Sequence, residues 1–247
     1  QIIQDAAPSR LNYEQNQQLK LNYQTYIASL RAVDDGVGAI IRTLRNAGEL
    51  DNTYFFILSD HGYFIGEHRF SSAKFLPYEP SARVSMAVRG PGVPSGASSD
   101  ELVGNVDVAP TILRLAGADA GYEVDGRPLR PFWRDPTETT RRPLGLASLR
   151  TKEEDGAGGA SVSNRAPALT YDGFMVGPYK YFRFEKTGEA ELYDLDRDPS
   201  ELENVIDSPA YAAVRQYMEF WLPQVGGCSG ADCRTLLPEW PEPALPG

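Results

Sequence analysis

Tyr54-Phe55-Phe56-Ile57-Leu58 runs straight into Ser59-Asp60-His61-Gly62, and this stretch decides the fold. Five apolar residues in a row have strand length, and a run without alternation predicts a strand buried on both faces. Immediately upstream, Asp51-Asn52 makes a turn. Before it, Tyr23, Tyr26, Ile27, Leu30, Val33, Val37, Ile40, Ile41 and Leu44 recur at three- and four-residue steps. That spacing predicts an amphipathic helix of about six turns, closed by Ala47-Gly48. Residues 1–20 are rich in Gln and Asn and show no clear period. Helix, short turn and buried strand form the unit of an α/β sandwich. Polar groups at the carboxyl end of such a strand stand where open α/β sheets place their sites.

Working outward, residues 63–83 read as a long loop, and loops of that length in compact domains are usually functional or disordered. Val84 to Val88 reads as a second strand, ended by Arg89-Gly90-Pro91-Gly92. Val108 to Ala116 reads as a short helix with Asn105 or Asp107 as its cap. Between Arg134 and Arg165 the composition turns to Gly, Ala, Ser and Thr, as in a mobile connector. Ala168–Met175, Tyr179–Glu185 and Glu191–Leu195 then alternate with turn residues between them, predicting a small antiparallel sheet. A helix from Asp207 or Ser208 to Leu222 follows, with Pro209 at its start. The expected domains are an α/β part over 1–135, a flexible insert or connector over 136–165, and a subdomain with antiparallel sheet and helix over 166–247.

Composition narrows the function. The 247 residues carry 41% hydrophobic residues, enough for a sizeable core, and no apolar run reaches the length needed to span a bilayer. The formal net charge of -10 repels phosphate backbones and anionic lipid, which argues against nucleic-acid binding. An anionic small substrate needs a local cation or metal. Cys228 and Cys233 are the only cysteines, and no second Cys or His pair completes a structural zinc site. They are either free thiols or a small disulfide loop. Gly and Ser between them favour the disulfide, which would contribute about 2 kcal/mol and belong to an oxidising compartment.

The two histidines, His61 and His68, lie beside Asp60 and near Lys74. Carboxylate oxygen and imidazole nitrogen are both metal ligands, and a strand end would hold them rigidly. The alternative is that Asp60 caps the next turn with His61 as its partner. Asp34 and Asp35 are adjacent on a helix and diverge, so they are expected to be structural. Glu79 and Arg83, four residues apart, read as a simple pair, and Asp194, Asp196 and Asp198 read as a solvated turn.

At this point the chain resembles the sulfatases, members of the alkaline-phosphatase-like superfamily, and is most similar to their N-acetylglucosamine-6-sulfatase and arylsulfatase branch. The resemblance rests on Gly48 to Gly62, on Gly66-Glu-His-Arg69, Lys74 and Tyr78-Glu79, and on Arg83 to Gly92. Glu191 to Val205 and Cys228 to Arg234 continue it. It implies an α/β fold: the C-terminal part of an alkaline-phosphatase-like sandwich with a small antiparallel α+β C-terminal subdomain. It implies sulfate-ester hydrolysis by a formylglycine made from Cys or Ser, with a divalent metal, usually calcium. By the same resemblance Asp60 and His61 match two metal ligands. Lys74 matches the lysine on the sulfate, His68 a loop histidine near the site, and Phe64 stands where relatives carry a His that meets substrate.

The family's nucleophile should lie well upstream of Asp60, and none is expected in this chain; Ala7-Pro8-Ser9-Arg10 has Ala6 where the nucleophile belongs. The expected partners are therefore an N-terminal part of the same sulfatase, which brings the formylglycine, and a sulfated small molecule or saccharide. The chain by itself is expected to be inactive. The expected compartment is extracellular, periplasmic or lysosomal. The competing readings are a phosphonate or phosphodiester hydrolase of the same superfamily and a non-catalytic piece.

Overall fold

The computed structural model describes residues 11–70, 74–148 and 170–245. They divide into two compact units: one takes in residues up to 75 together with 80–93, the other 76–79 and everything from 94 onward.

The first unit opens with α1 (Tyr13–Asn46), a helix of 34 residues. It begins ten residues earlier than the apolar period predicts. Asn12 and Gln15 form a reciprocal capping box, in which the Asn12 side chain accepts from Gln15 N at 2.8 Å and Gln15 Oε1 accepts from Asn12 N at 2.9 Å. The polar first turns satisfy helical geometry without an apolar stripe, so periodicity could not find them. After a turn at Leu50–Asn52, β1 (Phe55–Leu58) pairs antiparallel with β2 (Met86–Arg89), with Phe55 opposite Arg89 and Leu58 opposite Met86. The expectation of a strand buried on both faces is corrected here. Ile57 is 45% exposed and Phe55 and Phe56 are only half-buried. No third strand joins the pair among the described residues. The α1 stripe behaves alike: none of its residues is buried, and Tyr23, Tyr26, Ile27, Leu30, Val33 and Ile40 stand exposed.

The second unit is a four-stranded antiparallel sheet in the order β3 (Leu144–Ser148), β4 (Tyr171–Val176), β5 (Tyr179–Phe184), β6 (Ala190–Asp194). Three of these strands are close to expectation. The first is a correction: Leu144–Ser148 falls inside the stretch read as a connector, and it pairs with β4 from Leu144–Met175 to Ser148–Tyr171. Small residues disguise it, because Gly145 and Ala147 occupy alternate positions while Leu144 and Leu146 are half-buried. Residues 149–165 of the expected connector lie outside the described residues, as does Ala7-Pro8-Ser9-Arg10.

Helices α2 (Val108–Ala116), α3 (Arg130–Arg134) and α4 (Ala212–Gly226) complete this unit. α4 starts after a 3-10 turn at Pro209–Tyr211 and packs Val214, Met218, Leu222 and Val225 against Phe174, Val176, Tyr179, Tyr181 and Leu192 of the sheet. Burying these side chains is the main stabilising contribution to the unit, at roughly 1.5–3 kcal/mol for each large one. The other face holds rings and charges. Tyr78 and Phe182 meet edge to face at 5.5 Å. Lys180 Nζ, fully buried, is 2.9 Å from Glu79 Oε1 and 2.8 Å from Glu201 Oε1. Tyr78 and Tyr193 donate to Glu191 Oε2 at 2.9 and 2.6 Å. Burial, reinforced by the Glu191 charge, pushes both phenols far above the usual tyrosine range, so both remain donors. Asp194 is a further correction: it is buried and accepts from Tyr211 Oη at 2.8 Å, so the Asp194–Asp198 turn is anchored inward.

Candidate functional site

β1 ends at Leu58, and the chain continues directly through Ser59, Asp60 and His61. Gly62 is required at the next position. A Cβ there would stand 2.2 Å from the Pro80 carbonyl oxygen, and Gly62 N donates to Ser81 O at 2.8 Å. This close approach fixes the direction in which Asp60 and His61 leave the strand.

His61 Nδ1 is 2.8 Å from the Gly62 carbonyl oxygen. A carbonyl only accepts, so Nδ1 carries the proton and the Nε2 lone pair is left outward. Two groups face that lone pair. Lys74 Nζ lies 3.3 Å from Nε2, and Asp60 Oδ2 lies 3.7 Å from it. Asp60 also accepts from His61 N through Oδ1 at 3.1 Å. The Lys74 ammonium sits 4.8 Å from the centroid of the Phe75 ring, and Phe75 in turn stands 6.2 Å from the His61 ring. The cluster is open on one side: the Asp60 side chain is 87% exposed and that of His61 35%.

Asp60 and His61 are thus brought to one point with Lys74, thirteen residues beyond His61. His68 and Phe64 form a neighbouring pair. Phe64 is fully buried, its ring edge-on to His68 at 6.0 Å and to Phe70 at 5.5 Å. His68 and Arg69 both adopt left-handed backbone, with φ of 49° and 65°, after Gly66 at 119°, and Phe75 follows at 66°. Non-glycine residues in this region cost energy and gather at functional loops. Phe75 was not singled out from the sequence; an aromatic ring directly after a candidate lysine is the signal that would have found it. Among the described residues no group of three or more His, Cys, Asp or Glu side chains forms a ready metal cage. Cys228 and Cys233 are joined in a disulfide, in the other unit. No helix of the described residues is long and apolar enough to cross a membrane.

A family model described as Sulfatase matches residues 4–118. An arylsulfatase of Volvox carteri is 34% identical over 88% of this chain and 37% of its own length. An N-acetylglucosamine-6-O-sulfatase of Bacteroides thetaiotaomicron is 31% identical over 76% of this chain and 32% of its own length. A structure solved in complex with its substrate D-glucosamine-2-N,6-O-disulfate superposes with a TM-score of 0.71 at 28% identity, covering 81% of this chain and 39% of that one. A phosphonate monoester hydrolase of Agrobacterium radiobacter superposes with a TM-score of 0.59, also at 28% identity, covering 77% of this chain and 38% of that one. The chain therefore spans about a third of the length of these two curated relatives.

Proposed function

Because the chain belongs to the sulfatase family, with the fold of the alkaline-phosphatase-like sandwich, we propose that it works as part of an enzyme hydrolysing sulfate esters to an alcohol and inorganic sulfate. The observation that carries this reading is the convergence of Asp60, His61 and Lys74 at the end of β1.

Asp60 and His61 suit two ligands of one divalent cation. Their facing atoms are 3.7 Å apart, and the Nδ1 tautomer leaves the Nε2 lone pair available. Calcium takes six to eight oxygen ligands, so the remaining donors would come from outside the described residues. A divalent metal and a formylglycine, the latter in a part of the enzyme outside these 247 residues, would supply Lewis-acid and nucleophile chemistry. Lys74 would place its ammonium on a sulfuryl oxygen. Charge accumulates there and on the bridging oxygen as the ester bond breaks, and a preorganised cation acts most strongly where charge develops. Lys74 Nζ, 3.3 Å from His61 Nε2 and over the Phe75 ring, would be the cation left to meet the substrate if Asp60 and His61 held the metal. His68 lines the same loop and would touch the substrate side. Phe64, buried as it is, would act by holding His68.

The exposed stripe of α1 and the bare faces of β1 and β2 support an N-terminal part of the same enzyme as the partner that covers them. The disulfide supports a non-cytosolic compartment. The second reading, phosphonate or phosphodiester hydrolysis, is favoured by the likeness to the phosphonate monoester hydrolase. The test is a comparison of kcat/KM of the full-length protein on p-nitrophenyl sulfate and on matched phosphonate and phosphodiester esters. Preference for the sulfate is expected; preference for phosphorus esters would transfer the site to the second reading.

A further inference from the structure

We propose that the cleft between β3 and α4 binds an uncharged saccharide. The cleft has a volume of about 520 Å³, within the range of small-molecule sites. It belongs to the unit that does not contain Asp60, His61 and Lys74, so the inference does not rest on the catalytic reading.

Its wall combines one aromatic ring with polar groups. Trp221 is half-buried and held by Phe220, edge-on at 5.1 Å, and by Tyr217 at 6.4 Å, which makes it a fixed platform. A pyranose ring with equatorial hydroxyls has an apolar C–H face that stacks on such a platform and a rim of hydroxyls that must be satisfied. Asp125, Asp232 and Gln224 line the cleft and would accept from that rim. Asp125 Oδ1 already accepts from Gly230 N at 2.6 Å, which fixes the orientation of the carboxylate. Arg142 also lines the cleft, with its Nε buried and without a hydrogen-bond partner among the described residues.

Charge selects the class of ligand. The cation of Arg142 is already neutralised, because its Nη1 lies 2.7 Å from Asp107 Oδ2 and both side chains are buried. Asp107 is held further by Gly104 N at 2.9 Å and Arg127 N at 2.7 Å. The cleft thus offers two carboxylates and no uncompensated cation from this pair. A sulfated or carboxylated sugar is repelled, whereas a neutral one is accepted.

Gly145 provides the test. It lines the cleft, is exposed, and a Cβ there would meet only Val225, at 3.8 Å, so a side chain can start from this position without a clash at its first carbon. The full-length protein, its Gly145→Leu variant and its Gln224→Ala variant are titrated by calorimetry with cellobiose, N,N′-diacetylchitobiose and glucosamine 6-sulfate. Circular dichroism establishes that all three proteins are folded. Saturable binding of at least one neutral disaccharide is expected, weakened at least about tenfold in Gly145→Leu. Absence of neutral-sugar binding, or binding that Gly145→Leu leaves unchanged, would overturn the proposal. The second outcome would place the sugar elsewhere without touching the sulfatase reading.

Discussion

The proton on His61 Nδ1 is held by a backbone carbonyl, and what His61 can offer follows from that one contact. Other residues matter through burial alone. The Tyr171 hydroxyl is pushed up to about 12 from an ordinary value of 10.0, with burial as the cause. The sign is that of a group favouring its protonated form in the fold. Its contribution is complete below pH 10.0 and is lost as pH rises through about 12. A difference of that size between folded and unfolded chain corresponds to roughly 2–3 kcal/mol. Tyr171→Phe is therefore expected to flatten the loss of stability in that window, as read from urea midpoints at pH 9 and at pH 11. An unchanged alkaline slope would contradict the burial argument. At this scale the sequence exposed Asp60, His61 and Lys74, because their types and their place after an apolar run are local information. It hid the Lys180 pairs with Glu79 and Glu201 and the burial of Phe64, because those depend on chain segments far apart in sequence.

Elements were legible where one face is buried within the chain itself. β5 and β6 alternate between the α4 side and the ring-and-charge side, and their bounds were readable to within a residue or so. β3 was hidden, since Gly145 and Ala147 blur its alternation, and the first turns of α1 were hidden because their capping is polar. The disulfide loop is an element whose energetics can be tested. Apart from the bond between Cys228 and Cys233, the loop is tied down by Gly230 N on Asp125 and by Arg234 on Glu123 at 2.9 Å and on the Val124 carbonyl. With so short a loop closed, reduction is expected to lower stability by about 2 kcal/mol and to leave the fold intact. Denaturant midpoints with and without reductant measure this. Loss of the cooperative transition on reduction, or an unshifted midpoint, would contradict it. For α1, Ile27→Glu should destabilise the full-length protein by roughly 2 kcal/mol or more, because the stripe is proposed to be covered there. An unshifted midpoint in the same denaturant titration would mean that the stripe faces water in the whole enzyme.

For the whole molecule, the acidic balance of -10 and the open cluster of Asp60, His61 and Lys74 at the end of β1 set the terms. An anionic ester approaches such a protein only where local positive charge outweighs the general repulsion. Lys74, with a metal on Asp60 and His61, is the proposed source of that charge. The most direct measurement is sulfate release from p-nitrophenyl sulfate by the full-length protein, by its Lys74→Ala variant, and by residues 1–247 alone. Losing one preorganised charge donor typically costs about 2.7–4 kcal/mol, so Lys74→Ala should lower kcat/KM by a factor of roughly a hundred to a thousand, with the fold intact by circular dichroism. Residues 1–247 alone should release no sulfate. A Lys74→Ala enzyme as fast as the parent, or turnover by the isolated 247 residues, would contradict the assignment of the site.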